Sequence, residues 1–169
     1  PAPQTNEIFP RVFDFWDTLS EIKMSSCFSL MLGFEEPIEL GFDAAIVKNS
    51  DISWISINSS KPDRMGNPSV LVHSSNEWAD QNIDMEPKKA SHHLLDTLSN
   101  TIDLPFENLA FKNIKLWRYA NVTKQKNDRV FLDIENKLGA CGDWCIQGRV
   151  EAAFQSGEKI ARELLPYLK

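Results

Sequence analysis

The glycines show where this chain could do chemistry. Only seven occur, and four of them, Gly139, Gly142, Gly148 and Gly157, fall within nineteen residues. A strand pattern ends near Cys141, Gly142-Asp143-Trp144 opens a short loop through Gly148, and a helical pattern starts at about Arg149. Such a junction aims unpaired N–H groups and the positive end of the helix dipole at whatever lies in front, which suits an anion or an electron-rich carbonyl. An ordinary strand-to-helix connection is the plainer reading of the same spacing. The other constellations carry less. His92 and His93, adjacent on a helix, point about 100° apart and cannot chelate one metal as an i, i+4 pair does, so they read as surface or partly packed side chains, with no metal site. Cys141 and Cys145 lack partner ligands nearby and read as structural thiols. Trp54, Trp117 and Tyr119 belong either to plain core or to the wall of a substrate pocket. Lys61 and Arg64, on a Pro-rich turn, are solvated cations or contacts for an anionic ligand. His73 offers no Ser-His-Asp arrangement, and no catalytic residue can be named.

The stretch Gly142-Asp143-Trp144-Cys145-Ile146-Gln147-Gly148-Arg149-Val150-Glu151-Ala152-Ala153-Phe154-Gln155-Ser156-Gly157 resembles the C-terminal flavin-binding signature of renalase-like FAD-dependent oxidoreductases, relatives of the flavin amine oxidases. Pro1-Ala2-Pro3-Gln4, Trp54-Ile55 with Ser59 to Arg64, His73 to Trp78, and Trp117-Arg118-Tyr119-Ala120 resemble family segments in the same order, so the resemblance spans nearly the whole chain. It implies that Asp143 accepts hydrogen bonds from the ribityl or pyrophosphate side of FAD. The backbone around Arg149 and Val150 would face the N1 and C2 carbonyl edge of the flavin, with Gly142, Trp144, Gly148 and Phe154 completing the cofactor side. It further implies hydride transfer from a small-molecule substrate, an amine or a reduced nicotinamide. Two positions depart from the family: Ala152 stands where Gly is common, and Gln155 where a small or apolar residue is common. A larger departure is that no Gly-x-Gly-x-x-Gly turn occurs, the element that holds the pyrophosphate in dinucleotide-binding folds. The resemblance therefore places the dinucleotide half upstream of Pro1, and the chain alone is expected to be catalytically incompetent. A non-catalytic binding module derived from the same fold is the rival expectation.

The elements that would hold these residues follow from hydrophobic period. Ile8, Val12, Phe13, Trp16 and Leu19, at spacings of 3 and 4, predict a short amphipathic helix broken or begun at Pro10. From Ile22 to Phe34 every even position except Ser26 is apolar, which predicts a long strand with one buried face. Shorter strands are expected at Ala44–Val47, Ile52–Ile57 and Val70–Ser74 as an antiparallel meander, punctuated by the turn Lys61 to Pro68. Ser75 to Trp78 opens a short helix, and Pro87 starts a longer one lined by Ala90, Leu94, Leu95, Leu98 and Ile102 and stopped before Leu104-Pro105. Further strands fit Leu109–Tyr119, Val130–Ile134 and Lys137–Cys141, with the polar turn Lys124-Gln125-Lys126-Asn127-Asp128 between the first two. Val150, Ala153, Phe154, Gly157, Ala161, Leu164, Leu165 and Leu168 make one helical stripe opposite Glu151, Gln155, Glu158 and Arg162. That stripe must be covered, by a homodimer or by the chain's own sheet, and the small pair Ala153 and Gly157 would permit close approach.

Composition bounds what these elements can serve. The 169 residues are 42% hydrophobic and 25% charged, which excludes disorder, and no apolar run reaches the roughly 18 residues of a membrane span. A net charge of −6, with 13 acidic and 5 basic side chains in residues 1–85 and 11 and 13 in residues 86–169, argues against nucleic acid as a partner. Three cysteines make no disulfide framework and point to a reducing cytoplasm. Pro1-Ala2-Pro3-Gln4 has no initiator Met, charged n-region or apolar h-region, and the expectation is a fragment of a longer protein. The fold expected is α+β: a mostly antiparallel sheet of six to seven strands flanked by helices over residues 1–134, the substrate domain. Residues 135–169 would add a strand and helix that belong to a FAD-binding domain.

Overall fold

The computed structural model describes residues 1–64, 66–125 and 130–168; Met65 of the turn expected at 61–68, and Lys126, Asn127 and Asp128 of the turn expected at 124–128, lie outside them. In chain order the elements are α1 (Ala2–Ile8), α2 (Trp16–Ser20), β1 (Met24–Phe34), β2 (Ala44–Ile46), β3 (Ile52–Ile57), β4 (Ser69–Ser74), α3 (Asn76–Gln81), α4 (Pro87–Ser99), β5 (Leu109–Val122), β6 (Phe131–Asp133), β7 (Leu138–Ala140) and α5 (Val150–Leu164). Contacts divide the chain into two compact units, Ser26–Arg118 and Pro1–Ser25 with Tyr119–Lys169. Compactness thus groups residues 1–25 and 119–134 with the C-terminal strand and helix, where the sequence placed its boundary at 134/135.

The first unit is built on an antiparallel sheet of order β2-β3-β4-β1-β5. Phe28, Leu30, Leu32 and Phe34, the last four even positions of β1, are buried. They meet Val70 and Val72 of β4 in the register Leu30↔Val72 and Leu32↔Val70, and Ile55 of β3 continues that row through Ile55↔Val72. Ala90, Leu94 and Leu98 of α4, spaced 4 apart, close this face with Trp78 of α3. The Ser75 hydroxyl caps α3 by accepting the Trp78 N–H at 3.2 Å. The expected meander holds for β2, β3 and β4, but β1 lies beside β4 rather than β2, which makes β1 central. All seven expected strands form, five in this sheet and two, β6 and β7, as a separate ribbon.

In the second unit the expected helix is two, α1 and α2, separated at Pro10. Phe13 and Leu19 are buried with Ala2, whereas Ile8 and Val12 are exposed. An aromatic series Phe9, Phe13, Phe15, Phe131, Trp144 runs through the core with successive ring centroids 4.9 to 5.7 Å apart. The buried Asp133 carboxylate ties the segment before α2 to the β6–β7 turn. It accepts the Asp14 N–H at 3.1 Å and, from Asn136, the backbone N–H at 3.0 Å and the side-chain amide at 2.8 Å.

Helix α5 does not turn its apolar stripe onto its own sheet. It buries Ala152 and Ser156, and leaves Val150, Ala153, Phe154, Ala161, Leu165 and Leu168 exposed. The apolar stripe is the outer face of the unit, because small side chains let α5 lie close to its own unit, with Ile160 reaching the backbone of Gly139. Gly157 has open space beyond its Cα, so the Ala153–Gly157 pair makes no close approach.

Candidate functional site

The loop between β7 and α5 is shaped by Trp144. A 3-10 turn over Asp143–Cys145 is held by Cys145 N–H to Gly142 C=O and Ile146 N–H to Asp143 C=O, both 3.0 Å. The turn drives the Trp144 indole into the core against Phe131, centroids 5.7 Å apart and planes within 20°. A Cβ at Gly142 would collide with the indole Nε1 and lie 2.8 Å from Cδ1, so glycine is required there for space. Gln125 N–H pins the far end by bonding Ile146 C=O at 2.8 Å. At Gly148, by contrast, a Cβ would meet only ordinary contacts, with the Val122 backbone N at 3.7 Å and with Asn121 and the Asp143 carboxylate at 3.8 Å.

This construction brings a half-buried Asp143 beside Gly148 and the open start of α5. The N-cap, Arg149, supplies no side-chain acceptor, and the first intrahelical bond runs from Ala153 N–H to Arg149 C=O at 3.1 Å. The N–H groups of Val150, Glu151 and Ala152 therefore head the helix without a side-chain cap. Arg149 is exposed, and Val150 and Phe154 are 91% and 67% exposed. Glu151 turns to Gln155, whose amide bonds its carboxylate at 3.0 Å. Uncapped donors at a positive helix end, with one carboxylate acceptor beside them, can hold an electron-rich carbonyl edge together with a hydroxyl. Trp144 offers a ligand its backbone only, since its side chain is core. Ala152 is buried. Burial pushes the Cys145 thiol up to about 12, so it stays protonated, whereas Cys141 is exposed.

Trp54 and Trp117 lie on the sheet face away from the α4 core. Trp54 pairs with Ile46 and His73 in register, and Trp117 alternates with the core-packed Leu116 and is 54% exposed. Tyr119, half-buried, falls in the other unit. His73 is the residue that sequence reasoning passed over: it stands between Trp54 and Ser29 on that face, and burial, with Lys61 second, pushes its imidazole below the usual range. The strand alternation Val70, Val72, Ser74 inward was the signal that put it there. Lys61 is exposed and donates to Asn58 Oδ1 at 2.9 Å, and Arg64 is exposed. His92 faces Asp96 at 3.5 Å, while His93 stacks on Trp78 at 4.9 Å and meets Asp51 at 2.7 Å. Among the described residues no three His, Cys, Asp or Glu side chains gather to hold a metal, and no helix is long and apolar enough to cross a membrane.

No known family's sequence pattern matches the chain. Among solved structures it is similar to a candidate protoporphyrinogen oxidase from Exiguobacterium sp. 255-15, with a TM-score of 0.55 at 14% identity over 74% of this chain and 29% of that one. It also aligns with the PF1083 protein of Pyrococcus furiosus, with a TM-score of 0.44 at 13% identity over 72% of this chain and 28% of that one. The chain spans less than a third of the length of either protein. The first likeness is one of fold: the α+β arrangement found here also forms part of that oxidase.

Proposed function

We propose that this chain is the substrate-side part of a FAD-dependent oxidoreductase of the renalase-like or amine-oxidase type, joined to the segment that meets the edge of the flavin. The observation that carries the reading is the open start of α5 beside Asp143, on a chain whose fold recurs in a candidate oxidase. The residues fit FAD at its isoalloxazine edge. FAD, when bound, supplies the hydride acceptor. The N–H groups of Val150, Glu151 and Ala152 would stabilise negative charge at N1 and the C2 carbonyl, and Asp143 would accept from a ribityl hydroxyl. Gly142, Trp144 and Gly148 would set the loop, and Arg149 and Phe154 would flank the ring. Trp54 and Trp117, on the outer face of the sheet, would orient a small substrate; amines, reduced nicotinamides and, from the neighbour's name, porphyrinogens are the classes in play. Three free thiols suit a cytoplasmic setting. In a parent protein that retains FAD, Asp143→Ala should weaken retention about ten- to a hundredfold, the worth of a charged hydrogen bond. Unchanged FAD content after dialysis would contradict the assignment.

The second reading is a non-catalytic module, and the exposed α5 stripe favours it. Val150, Phe154, Leu165 and Leu168 together offer an apolar surface of the kind that marks an interface, which in the isolated chain would make a homodimer.

A further inference from the structure

The sheet ends on an open strand. In the order β2-β3-β4-β1-β5, β5 is hydrogen-bonded on one side only, and an edge row of free N–H and C=O groups is a template for another strand. Residues 110–113, 115, 117 and 118 are exposed, while Ser26 to Leu30 of the neighbouring β1 are buried. The Ile114 N–H is met by the side chain next to it, Asn113 Oδ1 at 2.8 Å, as happens to a donor that has no strand opposite. The charge on β5 is of one sign. Lys112, Lys115 and Arg118 occur with no Asp or Glu between Leu109 and Val122, in a chain of net charge −6. Arg118 holds Asp84 at 3.2 Å. Lys112 and Lys115 have no ion pair among the described residues.

Like charges facing each other across a strand pair are destabilising, so a second β5 is a poor occupant of this edge, and Lys on an edge strand opposes self-pairing. Opposite charges are favoured in the same positions. We propose that the outer edge of β5 binds an extended acidic segment of a partner protein as a sixth strand. Main-chain hydrogen bonds along 110–118 provide the binding, and carboxylates set near Lys112 and Lys115 choose the partner. The inference uses no residue of the α5 loop, so it stands or falls independently of the flavin reading.

The probe is a capped ten-residue peptide of Val with two Glu set three apart, the spacing that puts one carboxylate on each face as Lys112 and Lys115 are, titrated into the 15N-labelled protein beside two controls: the same peptide with Lys for Glu, and the Val-Glu peptide with alternate amides N-methylated. The Val-Glu peptide should shift the amides of residues 110–118 saturably and slow their hydrogen exchange. The Lys peptide should bind about tenfold more weakly, and the methylated one should not bind. Replacing Lys112→Glu and Lys115→Glu together, both exposed, should reverse the preference between the charged peptides. Equal binding of both, binding that survives methylation, or no binding at millimolar peptide would overturn the proposal. A β5-mediated dimer that Ile114→Pro dissolves would also overturn it, by giving the edge to a second copy.

Discussion

Gly142 adopts an extended backbone, φ 166° and ψ 175°, that any residue tolerates, so its requirement is spatial. A methyl group there must displace the buried Trp144 indole and its stack on Phe131. Gly142→Ala should therefore cost about 1–3 kcal/mol of stability as an overpacked core position. Gly157→Ala, in open space within α5, should gain about 0.5–1 kcal/mol. Urea midpoints of the two variants check the pair, and equal effects would mean that the indole does not fill the loop. Asp133 raises a different question. The Asn136 backbone N–H, then its side-chain amide, with the Asp14 and Glu135 N–H groups adding to them, hold its carboxyl below the usual range. A depressed folded value gives stability that is present above the unfolded carboxylate value of about 3.9 and is lost as pH falls through the folded one. Asp133→Asn should thus melt lower than wild type near pH 7, with the gap closing below about pH 4. A gap that stays constant from pH 7 to 3 would contradict this. Neither residue's role was legible from sequence: the Asp14–Asp133 bond joins positions 119 apart, and the glycine cluster marked a tight place without saying that Trp144 made it tight.

Period reveals an element's faces better than their neighbours. The even-residue repeat of β1 was legible to its ends because a central strand buries one complete face, and Phe28 to Phe34 do so. For α4, Ala90, Leu94 and Leu98 were legible for the same reason. The sheet order was not, since nothing local tells β1 to lie beside β4. In α5 the repeat identified an apolar stripe, which the chain's own sheet does not cover. Amphipathic spacing says that a face avoids water, and Ala152 and Ser156 win the contact inside the unit because they are small. The exposed stripe leads to a prediction about association. The wild-type chain should sediment as a dimer through Val150, Phe154, Leu165 and Leu168, and Phe154→Glu should return it to a monomer with little change in thermal stability, because Phe154 is exposed. A monomer in both forms would remove the stripe as a self-interface. A dimer in both would place the interface elsewhere.

The molecule as a whole has two units: a sheet whose outer face carries Trp54, His73 and Trp117, and a smaller core that presents Asp143 and the head of α5. The α+β class was legible because strands and helices announce themselves by period. The loop's layout was legible because Gly, Asp and a helix start fall together. The division into units at 25/26 and 118/119 was not, because β1 and β5 pass through it without a break in pattern. No Gly-x-Gly-x-x-Gly turn occurs in the sequence, and on the function proposed above this chain would meet FAD at the flavin edge. Titration of the 15N-labelled protein with FAD tests that claim most directly. The account predicts weak, fast-exchange shifts centred on the amides of Asp143 and of Gly148 to Ala152, and a colourless protein after dialysis. Stoichiometric yellow protein, or shifts that leave residues 142–152 untouched, would contradict it.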